Sequence, residues 1–210
     1  MKKFDLGLYL VTDSSGLTED ELMEKCEAAL KGGVTLIQLR EKTLPSGEFL
    51  RRAVRLKELA HRYGVPLIIN DRIDIALASH ADGVHLGQAD IPVAAARKIL
   101  GSDFIIGCTA KTVELGKQAR ADGADYIGSG AIYGSDTKSE AMVTPLWTID
   151  EICRESRLPV VAIGGLDNTN LEILRGSKVA GIALSGAIMK AEDPAAEAAK
   201  ILKQVKDILK

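Results

Sequence analysis

The chain has 210 residues, 46% of them hydrophobic, which is enough for one sizeable core, and no break in composition divides it. We therefore expect a single domain over residues 1–210. The formal net charge of −2, from 27 basic and 29 acidic side chains, gives no general attraction to nucleic acid or to anionic lipid. Any cationic site must be local.

The sequence shows neither a cleavable signal nor an apolar run long enough to span a membrane. Its cysteines, Cys26, Cys108 and Cys153, are odd in number and widely spaced, which argues against a disulfide framework and against a zinc cluster. We expect buried thiols in a reducing compartment, and hence a cytoplasmic protein.

Short apolar segments alternate with helical patterns along the chain. We predict strands at residues 6–11, 36–42, 65–69, 83–87, 104–107, 125–130, 159–163 and 181–184. No two of them are joined by a hairpin-type turn, so they should pair in parallel through crossovers. The pattern predicts a (β/α)8 TIM barrel with its active site at the carboxyl ends of the strands. A doubly wound open sheet is the alternative, but no Gly-rich dinucleotide-binding motif follows the first strand.

Helix boundaries have signals of their own. Helix starts are predicted at the Thr18–Glu21 capping box, at Pro92 as a first helical residue, at the Thr148–Glu151 pair and at Asp193–Pro194. A further helix is predicted over residues 168–174.

The second predicted strand ends in a polar, charged cluster. Gln38, Arg40 and Lys42 alternate at period two and would share one face. Two neighbouring cations repel each other unless an anion lies between them, and Arg with Lys suits phosphate oxygens. The alternative is an edge strand whose charges face water.

Carboxylates follow the third and fourth strands, at Asp71 and Asp90. Such a pair, without an evident nucleophile, indicates a Mg²⁺ site, because one or two carboxylates commonly hold this ion together with phosphate oxygens of a substrate. The alternative is that each aspartate caps a helix, Asp71 the one starting near Arg72 and Asp90 the one starting at Pro92.

Glycines follow the last two strands, in Gly164–Gly165 and Ser185–Gly186. Barrels build a phosphate cradle from these two loops, where unhindered backbone N–H groups meet the anion. The loop over residues 131–145 is long and polar, which is typical of a functional loop.

No Ser-His-Asp or Cys-His set is visible, and we expect ordinary structural roles for His61, His80 and His85. A site of cations, a metal and amides fits a reaction that stabilises a departing anion.

Several motifs together resemble those of the thiamine phosphate synthase family. They are Gln38-Leu39-Arg40-Glu41-Lys42, Ile69-Asn70-Asp71-Arg72, Val84-His85-Leu86-Gly87-Gln88-Ala89-Asp90, Asp136-Thr137-Lys138 and Ile163-Gly164-Gly165. The resemblance extends over almost the whole chain. It implies a transferase of thiamine biosynthesis that joins a pyrimidine diphosphate to a thiazole phosphate and releases pyrophosphate.

The resemblance also implies residue roles. The pyrimidine diphosphate would be held by the stretch Gln38, Leu39, Arg40, Glu41 and Lys42 together with Asn70, Lys138 and Thr109, the last standing where the family usually has Ser. The thiazole phosphate would be held by Ser135, Thr137, Gly165, Leu184 and Ser185. Asp71 and Asp90 would bind Mg²⁺, and Arg40, Lys42 and Lys138 would neutralise the leaving pyrophosphate in a dissociative reaction.

One segment departs from the family pattern. The usual Gly-Pro-Ile-Phe/Tyr-Pro-Thr run is here Gly130-Ala131-Ile132-Tyr133-Gly134-Ser135, without both prolines and one threonine. A looser loop would affect closure and thiazole affinity more than chemistry.

Two other functions compete with this one. A thiazole tautomerase or regulatory paralogue on the same barrel should lack the diphosphate and metal residues, yet Asn70, Asp71, Asp90 and Lys138 are present. A sugar-phosphate isomerase would need a general base against the substrate carbon, for which the sequence offers no clear candidate.

Overall fold

A computed structural model describes residues 4–134 and 143–209 of the chain. Its strands are β1 (Leu8–Val11), β2 (Leu36–Leu39), β3 (Leu67–Asn70), β4 (Gly83–Leu86), β5 (Ile105–Thr109), β6 (Tyr126–Gly130), β7 (Val160–Ile163) and β8 (Gly181–Leu184). Each pairs in parallel with its neighbours in sequence, and β8 pairs with β1 to close the barrel. The predicted (β/α)8 barrel is confirmed.

Helices surround the barrel. They are α1 (Glu19–Lys31), α2 (Ser46–Arg62), α3 (Ile73–Ala78), α4 (Val93–Leu100), α5 (Val113–Ala121), α6 (Leu146–Ser156), α7 (Gly186–Met189) and α8 (Pro194–Ile208). Within the described ranges, none of the helices has the length and apolar character needed to cross a membrane.

Alternate residues of each strand face opposite sides of the barrel wall. Leu8 packs in a large cluster between strands and helices, whereas its neighbour Tyr9 packs with Leu36 and Ile68 in a smaller cluster inside the barrel. Because Leu36 and Ile68 face inward, Gln38 and Asn70, two residues further along each strand, also face inward. The barrel interior is therefore apolar toward the amino ends of the strands and polar toward their carboxyl ends.

Two predicted helix starts are confirmed. Thr18 Oγ1 accepts a hydrogen bond from the Glu21 amide, and Glu21 Oε2 accepts one from the Thr18 amide, which completes the capping box of α1. Asp193 Oδ1 accepts from the amides of Ala195 and Ala196, both at 3.0 Å, at the start of α8.

The other two predicted starts are wrong, and prolines explain both. Pro92 is not helical; it precedes α4, with ψ of 141°, and its carbonyl accepts from the amides of Ala95 and Ala96. Likewise α6 begins after Pro145, whose carbonyl accepts from Thr148, so Thr148 lies in the first turn instead of capping it.

The helix predicted over residues 168–174 shrinks to a 3₁₀ helix at Leu171–Leu174. Asp167 Oδ1 accepts from the Thr169 amide at 2.8 Å, and the Asp167 amide donates to Asn170 Oδ1 at 3.0 Å. These local side-chain bonds replace the backbone bonds that a full helix would need.

Candidate active site

A charged cluster lies where β2, β3 and β4 end. Lys42 Nζ is 2.6 Å from Asp71 Oδ2, and Asp90 lies near enough to Asp71 for each carboxyl group to shift the pKa of the other. The structure thus brings together three residues that the sequence places after three successive strands. Two neighbouring carboxylates repel each other, so this side of the mouth favours a cation beside them.

The backbone around Asp71 is strained. Its φ is 63°, in the left-handed region that non-glycine residues rarely adopt, and the Arg72 amide donates to the Asn70 carbonyl at 2.7 Å across it. The Asp71 amide donates to the carbonyl of His85 in β4, which holds this turn in place. Strain of this kind, about 1–3 kcal/mol, is concentrated at functional sites.

Neither aspartate is a helix cap. Arg72 is the residue that precedes α3, and no side chain caps that helix. Asp90 Oδ2 accepts from the Gly87 amide at 2.6 Å within its own loop, and α4 also starts without a side-chain cap. The capping alternative is therefore excluded for both aspartates.

The two carboxyl groups differ in acidity. Burial tends to raise the pKa of Asp71, but hydrogen bonds from Lys42 and Asp90 outweigh it, so the pKa lies below its usual range. Burial raises the pKa of Asp90, and the hydrogen bond with Asp71 raises it further. Of the two carboxyl groups, that of Asp71 is therefore the stronger acid.

The alternating residues of the second strand reach different parts of the mouth. Gln38 is buried inside the barrel, where its Nε2 donates to Tyr9 Oη at 2.5 Å. Lys42 turns toward β3 and Asp71. The charge of Arg40 acts on Asp13, in the loop after β1, and helps to lower the pKa of that carboxyl, for which the hydrogen bond from Ser15 is the main cause.

Two other residues of this stretch have structural surroundings. Glu41 Oε1 is 2.5 Å from Arg52 Nη1, and Oε2 accepts from Ser14 Oγ at 2.8 Å. Leu39 is buried between the barrel wall and the helices. A ligand would meet both residues only through their backbone, because the side chains are occupied or face away.

The loops after β6 and β7 approach each other closely at a pair of glycines. Gly164 and Gly165 have φ of 102° and 65°, and a Cβ on either would lie 2.6 Å from the nearest atom, in Ala131 and Tyr133 respectively. The Tyr133 amide donates to the Gly164 carbonyl at 3.0 Å. Only glycine permits both the backbone conformation and this approach.

The loop after β8 begins with Ser185, which precedes the four-residue helix α7. The side chain of Leu184 packs outside the barrel wall, so this residue could meet a ligand only through its backbone. The carbonyl of Gly165 accepts from Asn170 Nδ2 at 2.8 Å, which orients the neighbouring loop. Ser135, Thr137 and Lys138 lie outside the described residues, so their assigned roles stay predictions.

Asn70 supplies an unsatisfied donor in the interior. It is buried, and within residues 4–134 and 143–209 its Nδ2 has no hydrogen-bond partner. Leaving a buried donor unpaired costs about 1–3 kcal/mol, which a ligand acceptor would recover.

Thr109, at the end of β5, has its hydroxyl 3.1 Å from His85 Nε2.

Sequence reasoning missed two tyrosines of the interior, Tyr9 and Tyr126, and expected only a structural role for their neighbour His85. Tyr9 and Tyr126 share a hydrogen bond of 2.8 Å between their hydroxyls, and Tyr126 Oη lies 3.1 Å from His85 Nδ1. The available signal was their position, since a tyrosine at an inward position of a small barrel needs a polar partner for its hydroxyl.

The donor set fits Mg²⁺. Among the described residues no group of three or more His, Cys, Asp or Glu side chains could hold a metal ion, so in this part of the chain the candidate ligands are the pair Asp71 and Asp90. Mg²⁺ usually takes one or two carboxylates and completes its octahedron with water and substrate phosphate oxygens. A divalent cation held by these two residues would also offset the repulsion between their carboxylates.

The fold and the mouth define a class: a (β/α)8 barrel enzyme with a charged cluster after β2–β4 and a glycine pair after β7, where barrel enzymes frequently bind a phosphate. Comparison with known proteins narrows this class. The family model described as thiamine monophosphate synthase matches residues 8–188.

Individual relatives agree with the family model. The chain is 47% identical over 200 residues to the thiamine-phosphate synthase of Ruminiclostridium cellulolyticum, covering 95% of both chains. It is 43% identical over 209 residues to thiamine-phosphate synthase 2 of Streptococcus pneumoniae, covering 100% of both. The solved structure of the Pyrococcus furiosus thiamine phosphate pyrophosphorylase is 36% identical, with a TM-score of 0.89 over 98% of both chains.

The chain belongs to the thiamine monophosphate synthase family and shares its transferase activity. The fold, the family and the enzyme class predicted from the motifs are thus confirmed.

Proposed function

We propose that the protein transfers the pyrimidine-methyl group of 4-amino-2-methyl-5-(diphosphooxymethyl)pyrimidine to a thiazole phosphate, releases pyrophosphate, and uses Mg²⁺. The observation that carries the proposal is the cluster of Lys42, Asp71 and Asp90 on one side of the mouth, with the glycine pair Gly164–Gly165 on another. The first side has charged side chains that would bind a diphosphate. The second has exposed backbone groups that would bind a phosphate.

The reaction begins with loss of the leaving group. The bond between the methylene carbon and the diphosphate oxygen breaks, and its electron pair leaves with pyrophosphate. Arg40, Lys42 and Lys138 stabilise the charge that accumulates on that oxygen. Mg²⁺ held by Asp71 and Asp90 would supply further positive charge to the same group. No proton is removed, so the site needs no general base.

The second half of the reaction joins the two fragments. The lone pair of the thiazole nitrogen forms a bond to the methylene carbon of the pyrimidine cation. In the proposal, Gly165, Leu184 and Ser185 hold the thiazole phosphate through backbone and hydroxyl donors, together with Ser135 and Thr137. A fixed acceptor matters because a free cation would otherwise be captured by water.

The proposed location is the cytoplasm. Cys26, Cys108 and Cys153 are unpaired, and burial raises the pKa of each thiol, to about 12 for Cys26 and Cys108 and about 11 for Cys153. Unpaired, protonated cysteines are typical of proteins from a reducing compartment.

The test is a direct assay of pyrophosphate release with Mg²⁺ and both substrates. We expect turnover by the wild type and its loss when Mg²⁺ is chelated. Lys138→Ala should lower the rate by roughly 10²–10³-fold, because it removes one cation from the leaving group. Lys206→Ala, an exposed residue of α8, is the matched control and should leave the rate unchanged.

One outcome would overturn the proposal. A wild-type protein that binds thiazole phosphate but releases no pyrophosphate would be the tautomerase or regulatory paralogue instead. Isothermal titration with thiazole phosphate alone identifies that case.

A further inference from the structure

A chain of hydrogen bonds crosses the barrel interior beneath the mouth. It joins five side chains from five strands: Gln38, Tyr9, Tyr126, His85 and Thr109. The successive distances are 2.5, 2.8, 3.1 and 3.1 Å. Its two ends, Gln38 and Thr109, are residues that the proposed function places against the pyrimidine diphosphate. The three residues between them have no role in that proposal.

The barrel has a slot shaped for these rings. A Cβ on Gly107 would lie 2.0 Å from Tyr126 Cζ, and a Cβ on Gly128 would lie 3.1 Å from His85 Cε1. Tyr9 meets Tyr126 edge to face, with ring centroids 5.9 Å apart. Glycines in β5 and β6 therefore provide the room in which the two aromatic residues stand.

The chain has a direction, because each phenol has a single hydrogen. Burial raises the pKa of Tyr9 and Tyr126 well above that of a free phenol, so both keep that hydrogen. Gln38 Nε2 can only donate, so Tyr9 accepts from it and donates its own hydrogen to Tyr126.

The same logic carries the direction to the other end. Tyr126, having accepted from Tyr9, donates to His85 Nδ1; because Nδ1 accepts that bond, the ring hydrogen of His85 is on Nε2. His85 Nε2 then donates to Thr109 Oγ1, so the hydroxyl hydrogen of Thr109 is left to donate elsewhere. At the first end, Gln38 turns its amide nitrogen inward, which leaves its Oε1 as an acceptor.

We propose that this directional chain sets the hydrogen-bonding pattern of the pyrimidine pocket, so that it selects a 4-aminopyrimidine over a 4-oxopyrimidine. The inference rests on the proposed function. Gln38 Oε1 accepts from the exocyclic amine, and Thr109 Oγ1 donates to a ring nitrogen. A 4-oxopyrimidine presents an acceptor in place of the amine, so it would leave Gln38 Oε1 facing another acceptor. Tyr9, Tyr126 and His85 are positioning residues in this scheme.

The same five groups can also bond in the opposite sense, with Gln38 Oε1 accepting from Tyr9. Every later bond then reverses, and Thr109 Oγ1 donates to His85 instead of to a ligand. Intermediate patterns leave two donors or two acceptors facing each other, so the chain changes as a unit. The placement of Gln38 Nε2 beside Tyr9 selects the first sense.

The first test needs no substrate. The protein has three histidines, so imidazole ¹⁵N spectra can be assigned with His61→Gln and His80→Gln variants. In the wild type we expect a ring hydrogen on His85 Nε2 and none on Nδ1, which accepts from Tyr126. Tyr126→Phe keeps the ring in its slot but removes the hydroxyl, and it should weaken that preference for one tautomer. A wild-type His85 with its hydrogen on Nδ1 would overturn the proposal.

The second test measures selectivity. The ratio of kcat/KM for the 4-amino and 4-oxo pyrimidine diphosphates should be roughly 10³ or more in the wild type, because a site built around a hydrogen bond strongly rejects an analogue that cannot form it. In Tyr126→Phe we expect this ratio to fall at least about tenfold, mainly through a higher KM for the amino substrate. Ile105→Val, in the same interior cluster, is the matched control and should leave the ratio unchanged.

The outcomes separate the two proposals. A wild type that turns over neither pyrimidine contradicts the proposed function. If the wild type uses the amino substrate but Tyr126→Phe keeps the same selectivity within about twofold, only the proposed role of the hydrogen-bond chain is contradicted. If the wild type prefers the oxo substrate, the proposed donor-to-acceptor order from Gln38 to Thr109 is contradicted.

Discussion

At the ends of β2, β3 and β4 the barrel mouth carries its charge on side chains, whereas at the end of β7 it presents glycine backbone. Lys42 and two aspartates meet on the first side. On the second side, Gly164 and Gly165 have positive φ, and the loop after β6 packs directly against them. Both sides are proposed to bind phosphate groups, so the difference needs a chemical reason.

The reason lies in what happens to each phosphate during the proposed reaction. The diphosphate gains negative charge as it leaves. Its attraction to cationic side chains is therefore stronger in the transition state than in the ground state. The thiazole phosphate keeps its charge throughout and serves as a handle, for which fixed backbone dipoles suffice. Side-chain charge on the first side should therefore control rate, and backbone shape on the second side should control affinity.

The largest expected effect is on the charged side. Asp71→Asn removes the charge that faces Lys42, and we expect kcat/KM for pyrophosphate release to fall by roughly 10²–10³-fold. The KM for thiazole phosphate should change little. Initial rates at varied concentrations of each substrate measure both quantities. Asp74→Asn, a nearby exposed carboxylate that pairs with Arg72, is the control and should be near wild type.

An intermediate effect is expected on the glycine side. Gly165→Ala adds a Cβ 2.6 Å from Tyr133 Cβ at a φ of 65°, so the two loops must separate. We expect the KM for thiazole phosphate to rise about tenfold or more, with a smaller change in kcat. Gly176→Ala also has a positive φ, of 79°, but open space around it, so it isolates the backbone penalty from the steric one. Equal kinetic losses in both variants would contradict the proposed cradle.

The smallest effect is expected away from both sides. Asp193→Ala removes the side chain that caps α8 and should lower the free energy of unfolding by about 1 kcal/mol. Kinetic constants should stay at wild-type values, since the cap supports the helix and neither ligand. Urea unfolding gives the stability, and Asp193→Ser, which keeps a capping oxygen, should recover most of it.

Periodicity predicted the barrel because alternation of apolar strands with helices leaves few topologies open. Capping residues and prolines predicted the helix starts less reliably, with two starts right and two wrong. Thr18 and Asp193 cap through side chains and were found, whereas α4 and α6 start after prolines whose carbonyls accept the first bonds. Such a start differs from a proline inside the first turn by one residue, and composition does not distinguish the two.

The site was predictable where it follows strand ends and was hidden where it depends on long-range pairing. Asp71 and Asp90 could be placed together from topology, but the left-handed turn at Asp71 depends on the carbonyl of His85. The bond between Tyr9 and Tyr126 joins residues 117 positions apart. It requires the register of the closed barrel, which no local pattern encodes.

The loop after β6 is fastened at both of its ends. Ile132 and Tyr133 donate to the carbonyls of Ile163 and Gly164, and further along the chain Thr144 bonds to the carbonyls of Gly130 and Ala131. The anchors use main chain and one threonine hydroxyl, so they do not depend on the prolines that the family motif carries. The two ends of this loop therefore keep their hydrogen bonds to the barrel whichever residues stand at the two proline positions of the family motif.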